Sequence, residues 1–540
     1  MCLDAIIISD SGADSLSGSN PLRLTLNGRV GNIQLIRNYA INKGRIVTPI
    51  VGDTRMSWSS APKLNGIYLF DYLNKRGFQV ELIQNYSEEQ NFFRELLKSP
   101  PRAIVISTTF MPGKRVLRKV VDDVRHLAPD VYIIAGGPLV YMSYLILQRS
   151  KEPEYLSASA KDDFLFLDSD DDPSVDLYIV SQRGEDVLSE ALGRLRRGQD
   201  FKELPNSACL TNKTYHFSRR TDGTTSPDMS AINWESLPKR VFDSGVVPLQ
   251  ASSGCPYQCA FCNFVKDRRM ICTKPLDQLI EELKAVSRLG ARYVWFVDDN
   301  FRLGKPDLDS VCRRFIDEKF DVRWMTFIRA STLMKADPQL LREAGCIELQ
   351  LGIESADPRI LANMNKKASP ELYEAVLKKF LAAGINCSCY FIIGFPGETP
   401  DSLKRTRDFI RRHQSADSGG ILTCSLFPFI LSPLSPIYEP AKRKAYELSG
   451  YMHNWQHATM NSKQARDHVI QEFLAMDNSG PIYRGDNQDM LSAIGSEGRN
   501  RFEALRQKHA KSAIRGSLNE EEVVKDFSFL APIVEKNTQP

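Results

Sequence analysis

The sequence has no apolar run long enough for a membrane-spanning helix, which takes about 20 residues. The longest candidate, residues 380–397, holds Asn386, Ser388 and three glycines. It reads better as a buried strand with flanking turns. A secretory leader is also missing, because MCLDAIIISDSGADS carries acids where a leader needs basic residues. We therefore expect a cytoplasmic protein with no transmembrane segment. Charge of one sign is not in excess: the formal net charge is +4 on 61 kDa, which gives no ground for a nucleic-acid partner. Cysteine is present but odd in number, at 11, so a disulfide framework is not expected. Histidine is scarce, with seven in 540 residues and none before His126. What remains is an ordinary globular composition, in a chain long enough for about two to four domains.

Residues 1–44 include a Ser/Gly/Asn-rich piece at 11–20 and read as an N-terminal extension. From 45 to 200, short apolar runs alternate with helical spacing. Runs at 45–51, 78–83, 103–107, 131–135 and 176–180 read as strands. Segments 64–75, 91–98, 115–127 and 186–197 read as helices. This alternation predicts a doubly wound parallel sheet. Residues 161–173 hold six Asp around one apolar piece, 164–167, and read as an exposed, mobile insertion. A linker with a hairpin is expected over 201–244.

A second alternating block runs from 245 to 440. Its strands fall at 247–251, 293–297, 322–328, 348–352, 388–393 and 421–427. Its helices fall at 275–289, 306–319, 338–344, 370–383 and 399–414. Six β/α units predict a partial parallel barrel, with functional groups at the strand C-termini. Residues 441–540 read as mostly helical, most clearly at 462–475 and 501–514. The fold class is therefore α/β: a Rossmann-like first domain, a partial (β/α)6 barrel and a helical C-terminal region.

Cys255, Cys259 and Cys262 have C-x3-C-x2-C spacing and fall just after the first barrel strand. Four thiolates normally hold a cubane iron–sulfur cluster, so three leave one iron open. An open coordination position is what a catalytic metal needs. Zinc with a distant fourth ligand, and three separate core thiols, are the alternatives.

The segment from Ser253 to Cys262, with Phe261 before the last cysteine, resembles the radical S-adenosylmethionine (SAM) signature. The resemblance covers about 245–440. It implies a [4Fe-4S] cluster held by Cys255, Cys259 and Cys262. It also implies SAM chelated to the open iron, an electron donor such as flavodoxin or ferredoxin, and a 5′-deoxyadenosyl radical that abstracts hydrogen from carbon. It extends to other strand ends. Asp298 and Asp299 match the position that holds the methionine amino group, although the family's commoner Gly-Gly-Glu is absent. Arg329 is expected to pair with the SAM carboxylate. Glu354 and Ser355 match the ribose position, and Ile393 and Gly394 the adenine-binding strand.

A doubly wound domain ahead of such a barrel resembles the cobalamin-binding radical SAM class. The resemblance implies cobalamin bound near Ser107, Thr108 and Thr109, near Gly136, Gly137 and Pro138, and near Gly184 and Glu185. The cobalamin signature Asp-x-His-x-x-Gly is absent, so binding without a protein histidine is expected. The implied function is a cobalamin-dependent radical SAM methyltransferase. It would use methylcobalamin and the deoxyadenosyl radical to methylate an unactivated carbon of a small-molecule or peptide substrate. A radical cyclase on the same scaffold and a non-catalytic cobalamin-binding protein are the alternatives. His453 and His457 lie four apart, which on a helix puts both on one face.

Overall fold

The computed structural model describes residues 3–12, 24–26, 29–31, 56, 61–111, 113–152, 155–156, 158–168, 174–221, 229–263, 271–304, 307–413, 419–476 and 488–530. The chain forms two compact units, one of residues 1–15 and 62–241 and one of 16–61 and 242–540.

The first unit is built on a sheet of seven strands: β1 (Ala5–Asp10), β2 (Val80–Ile83), β3 (Ala103–Phe110), β4 (Tyr132–Gly136), β5 (Leu177–Ile179), β6 (Ser207–Thr211) and β7 (Thr214–Phe217). Their spatial order is β2-β1-β3-β4-β5-β6-β7. The first five run parallel and the last two add as an antiparallel edge. Strand interiors buried on both faces must be apolar throughout, and Ala5, Ile6, Ile7 and Ile8 are all fully buried. The chain leaves β1 on one side for β2 and on the other for β3. The topological switch point therefore lies between β1 and β3.

Several expectations change here. Ala5–Asp10 lies at the heart of the sheet, so 1–44 is not simply an extension. The expected strand at 45–51 lies outside the described residues. Pro138–Arg149 is a helix that alternation alone did not reveal, although Pro at its first position is a start signal. The hairpin at 207–217 pairs with β5 and belongs to the sheet, not to a linker. The start of the acidic segment is packed rather than exposed: Phe164 and Leu165 are buried, and the Phe166 ring sits 5.0 Å from Tyr178 and 5.1 Å from Phe217. Six acids around three large apolar side chains mark solubility, but the apolar side chains decide where the backbone goes.

The second unit holds six parallel strands in sequential order: β8 (Val246–Leu249), β9 (Tyr293–Phe296), β10 (Arg323–Phe327), β11 (Cys346–Glu354), β12 (Asn386–Ile393) and β13 (Leu422–Pro428). Helices Leu276–Arg288, Leu308–Asp317, Pro338–Glu343, Pro370–Ala382 and Pro400–Arg412 fall between them, as the pattern predicts. Four begin on a side-chain cap, from Asp307, Asp337, Ser369 and Thr399, each satisfying N–H groups that the first turn leaves open. The Phe296, Phe301, Phe315 and Trp324 rings pack the second helix onto β9 and β10. Cys387, Cys389 and Cys424 are buried thiols of the barrel wall.

The C-terminal region is less helical than expected. Ser449–Tyr451, Asn454–His457 and Met460–Asn461 form a small antiparallel sheet before the helices Ser462–Ala475, Gly495–Ile514 and Glu520–Phe527. His453 and His457 therefore share no helix face. A short helix, Gln488–Ala493, covers the N-terminal ends of β9 and β10. Its Asp489 accepts from the Tyr293 hydroxyl at 2.7 Å and from Arg292 at 2.8 Å, and its Ser492 accepts from Arg323 at 2.9 Å. Asp489→Ala removes the carboxylate that accepts from the hydroxyl of the buried Tyr293. It is expected to cost about 1–3 kcal/mol by denaturant titration and to speed proteolysis within 488–493.

Candidate active site

The cysteine loop begins where β8 ends, and its entry is fixed by two carboxylates. The Asp298 carboxylate accepts from the Ala251 N–H at 3.2 Å, from the Ser252 hydroxyl at 2.5 Å and from the Ser252 N–H. Asp299 accepts from the Gly254 N–H at 3.0 Å. Ser252–Ser253 pairs antiparallel with Cys272–Thr273, so the loop is closed at its base. Lys274 and Glu282, both buried, form an ion pair beside that closure. Burial outweighs the hydrogen bonds at Asp298 and pushes its carboxyl up to about 7.

The three thiols differ in surroundings. Cys259 is buried, while Cys255 and Cys262 are partly open. Burial pushes the Cys255 thiol up, against the pull of the Tyr257 N–H and the Arg329 guanidinium. The Ala260 N–H bonds to Met364 O at 2.8 Å, and the Ile437 N–H to Ala260 O at 2.9 Å, so both sides of the loop are anchored to neighbouring segments. Among the described residues no three ligating side chains converge as they would on a single ion. A cubane takes each thiolate on a separate iron and needs no such convergence. Three thiols on a pinned loop at a strand C-terminus fit that donor set.

Arg329 is engaged by several groups of the chain. Its Nη1 donates toward Cys259 Sγ at 3.9 Å, its Nη2 donates to Lys366 O, and its guanidinium carbon stands 3.5 Å from the centre of the Tyr257 ring. Its own N–H is held by Asn300 Oδ1 at 3.1 Å. The guanidinium thus lies against the cysteine loop. Glu354 ends β11 with φ of +68°, the left-handed region, just after a register shift at Gly352. Its carboxylate pairs with Lys366 Nζ at 2.7 Å, and both residues are buried. Lys366 also lies 5.7 Å from the centre of the Phe261 ring. Phe261 in turn meets Phe395 edge-on at 6.5 Å.

Other expected residues turn elsewhere. The Ser355 hydroxyl is buried, 3.4 Å from Thr406 Oγ1, and accepts from the Asp357 N–H at 3.1 Å. It holds the loop after β11. Ile393 lines a narrow crevice with Leu403, Thr406 and Leu426, on the helix side of the sheet. Gly394 is held from both sides: its N–H donates to Glu398 Oε2 at 2.5 Å, and its carbonyl meets His457 Nε2 at 3.0 Å. The His457 ring stacks on Trp455 at 5.1 Å. A Cβ at Gly394 would lie 2.6 Å from the Ala465 Cβ, and its φ is +91°, so only glycine fits.

In the first unit the polar groups gather at the switch point. Asn65 Nδ2 donates to Ser9 O at 3.0 Å and to Ser107 Oγ at 2.7 Å. Ser107 and Thr109 hydroxyls lie 3.2 Å apart, and Thr108 Oγ1 donates to Gly136 O at 3.0 Å. Gly137 has φ of +112°, and a Cβ there would lie 2.9 Å from Thr108 Oγ1. Pro138 and Glu185 open the helices that follow β4 and β5, and a Cβ at Gly184 would lie 2.5 Å from the Ile179 side chain. Ser9 Oγ and Asn65 Oδ1 are buried with no hydrogen-bond partner. These orphaned atoms, beside hydroxyls and a side-chain-free backbone, fit the polar tail of a nucleotide-bearing cofactor. Ser9 and Asn65 escaped the sequence reading because β1 was not recognised; the AIIISDSG run, apolar and then abruptly polar, carried the signal. Lys366, Tyr257 and Asn300 escaped it too, and no local pattern marks them.

Known proteins resemble this arrangement. The radical SAM superfamily model matches residues 249–410. An uncharacterized methyltransferase of Pyrococcus horikoshii is 25% identical over 66% of this chain and 75% of its own length. The bacteriochlorophyllide d C-12(1)-methyltransferase of Chlorobaculum tepidum is 28% identical over 48% of this chain and 56% of its own length. The structure of the radical SAM methyltransferase TsrM from Kitasatospora setae, with cobalamin and a [4Fe-4S] cluster bound, superposes with a TM-score of 0.61 at 14% identity, covering 95% of this chain and all of that one.

Glu398 yields a pH prediction. Burial pushes its carboxyl from 4.5 up to about 8. Unfolded, it ionises near 4.5, so the folded state holds an extra proton between these values. Stability from this group is present in full below 4.5 and is lost as pH rises toward 8. Glu398→Gln is expected to melt a few degrees above the native protein at pH 8 and to lose that advantage near pH 4.5, as read by calorimetry. Residues 249–410 are thus a radical SAM domain, in a chain that shares the fold of a cobalamin-binding radical SAM methyltransferase.

Proposed function

We propose that the chain is a cobalamin-dependent radical SAM methyltransferase acting on an unactivated carbon. The observation that carries this is the pinned three-thiol loop at the mouth of an open parallel barrel, in one chain with a sheet whose switch point is lined by hydroxyls, an amide and bare backbone. When bound, the cluster supplies the electron that cleaves SAM, and cobalamin supplies the methyl carrier.

The chain's own part is positioning. Asp298 and Asp299 hold the start of the cysteine loop on the end of β9. Glu354 and Lys366 present a charged pair at the end of β11, suited to hydroxyl and amino groups of SAM. Phe261, with Phe395 behind it, offers an apolar surface beside that pair. Gly394, packed against Ala465 and Trp455, shapes the end of β12 beside Phe395. Ser9, Asn65, Ser107 and Thr109 would hold the cobalamin tail. The described histidines of this unit, His126 and His216, are exposed and lie on a helix end and an edge strand. They are poorly placed to ligate cobalt.

The test is anaerobic reconstitution followed by iron, sulfide and corrinoid analysis. The native protein is expected to hold about four irons, the content of one cubane, and to convert SAM to 5′-deoxyadenosine and S-adenosylhomocysteine. The second product marks methyl transfer and separates it from cyclisation. Replacing Cys255, Cys259 and Cys262 together by Ala is expected to abolish cluster binding and deoxyadenosine formation; SAM cleavage that survived would refute the proposal. His126→Ala and His216→Ala are expected to leave the visible spectrum of bound cobalamin unchanged. Gly137→Ala is expected to weaken cobalamin retention at least tenfold on gel filtration, because its Cβ fills the approach to Thr108.

A further inference from the structure

Among the described residues, Arg329 is a cationic side chain held against Cys259 of the trio. Four separate contacts fix it. The Tyr257 ring lies under the guanidinium at 3.5 Å, which favours a cation over the ring face. Lys366 O takes Nη2, and Asn300 Oδ1 takes the backbone N–H. Nη1 is left aimed at Cys259 Sγ, 3.9 Å away. Cys259 is buried and Arg329 partly so, which reduces the screening of their interaction by water.

We propose, on the reading that the trio holds a [4Fe-4S] cluster, that Arg329 sets the cluster's reduction potential by donating to the Cys259 sulfur. One added electron makes a cluster more negative. A fixed cation with an N–H aimed at a ligand sulfur favours that reduced state and raises the potential. The electron comes from an external low-potential reductant. No bond of the chain forms or breaks, and Arg329 keeps its proton throughout. Arg329 acts through Cys259 and is a positioning residue. Tyr257, inside the cysteine loop, is part of the same device, because it keeps the guanidinium flat and its donors turned toward the sulfur.

The test is a redox titration of the full-length, reconstituted protein with dithionite in the absence of SAM, followed by electron paramagnetic resonance. Native protein that holds no cluster refutes the proposed function itself; the remaining outcomes concern Arg329 alone. With iron content matched, Arg329→Gln is expected to lower the midpoint, so that the reduced-to-oxidised ratio at a fixed potential falls at least tenfold, or ~59 mV for one electron. Arg329→Lys keeps the charge without the planar fork and is expected to fall between. Tyr257→Leu removes neither charge nor thiol and is expected to shift the midpoint the same way by less. An unchanged midpoint in Arg329→Gln overturns the proposal. So does a variant that folds by circular dichroism but holds no iron, since Arg329 would then serve assembly. SAM affinity lost tenfold with the midpoint intact also overturns it, since the guanidinium would then serve the SAM carboxylate.

Discussion

The buried carboxylate of Asp298 draws the chain ahead of the cysteines onto the end of β9. A carboxylate has no water to turn to there, so it takes the N–H groups of Ala251 and Ser252 and the Ser252 hydroxyl. The two N–H groups would otherwise lack these acceptors where β8 ends. The mutual need fixes the backbone direction at Gly254, and with it the point from which the thiols spread. Asp299 reinforces the same geometry from the exposed side. Everything further along the loop, including the meeting of Cys259 with Arg329, inherits this starting direction.

The barrel was legible because each unit is punctuated. Proline or a capping side chain opens most helices, and a strand of four to nine residues rich in apolar side chains lies between them. The first sheet was less legible at its start. Its central strand comes first in sequence, far ahead of the apolar run at 45–51 from which the alternation is legible, so the pattern had a false beginning. The small sheet at 449–461 was missed for a different reason: strands of two to four residues carry too few side chains to show a period.

The site divides in the same way. Cysteine spacing is local, so the loop could be read directly. Strand-end positions for Asp298, Arg329 and Glu354 could also be read, because the strands themselves could. Their partners could not. Lys366 stands twelve residues beyond Glu354, and Tyr257 seventy-two before Arg329; only folding closes these distances. Sequence therefore located the charged groups but not the protein groups they meet. Arg329 faces a thiol, and Ser355 and Ile393 face the packing around the helices.

The bulge at the end of β11 has a consequence for how that strand end holds its shape. Gly352 pairs with Tyr390, but the next partner of Phe391 is Glu354, with Ile353 left over. A left-handed residue with a side chain costs roughly 1–3 kcal/mol, and the ion pair with Lys366 is what offsets it. With the ion pair in place, Ile353 stays out of the ladder and the carboxylate keeps its side of the sheet. Were that attraction withdrawn, the ladder could zip into even register, and a slip of one residue would send Glu354 to the opposite face of the sheet.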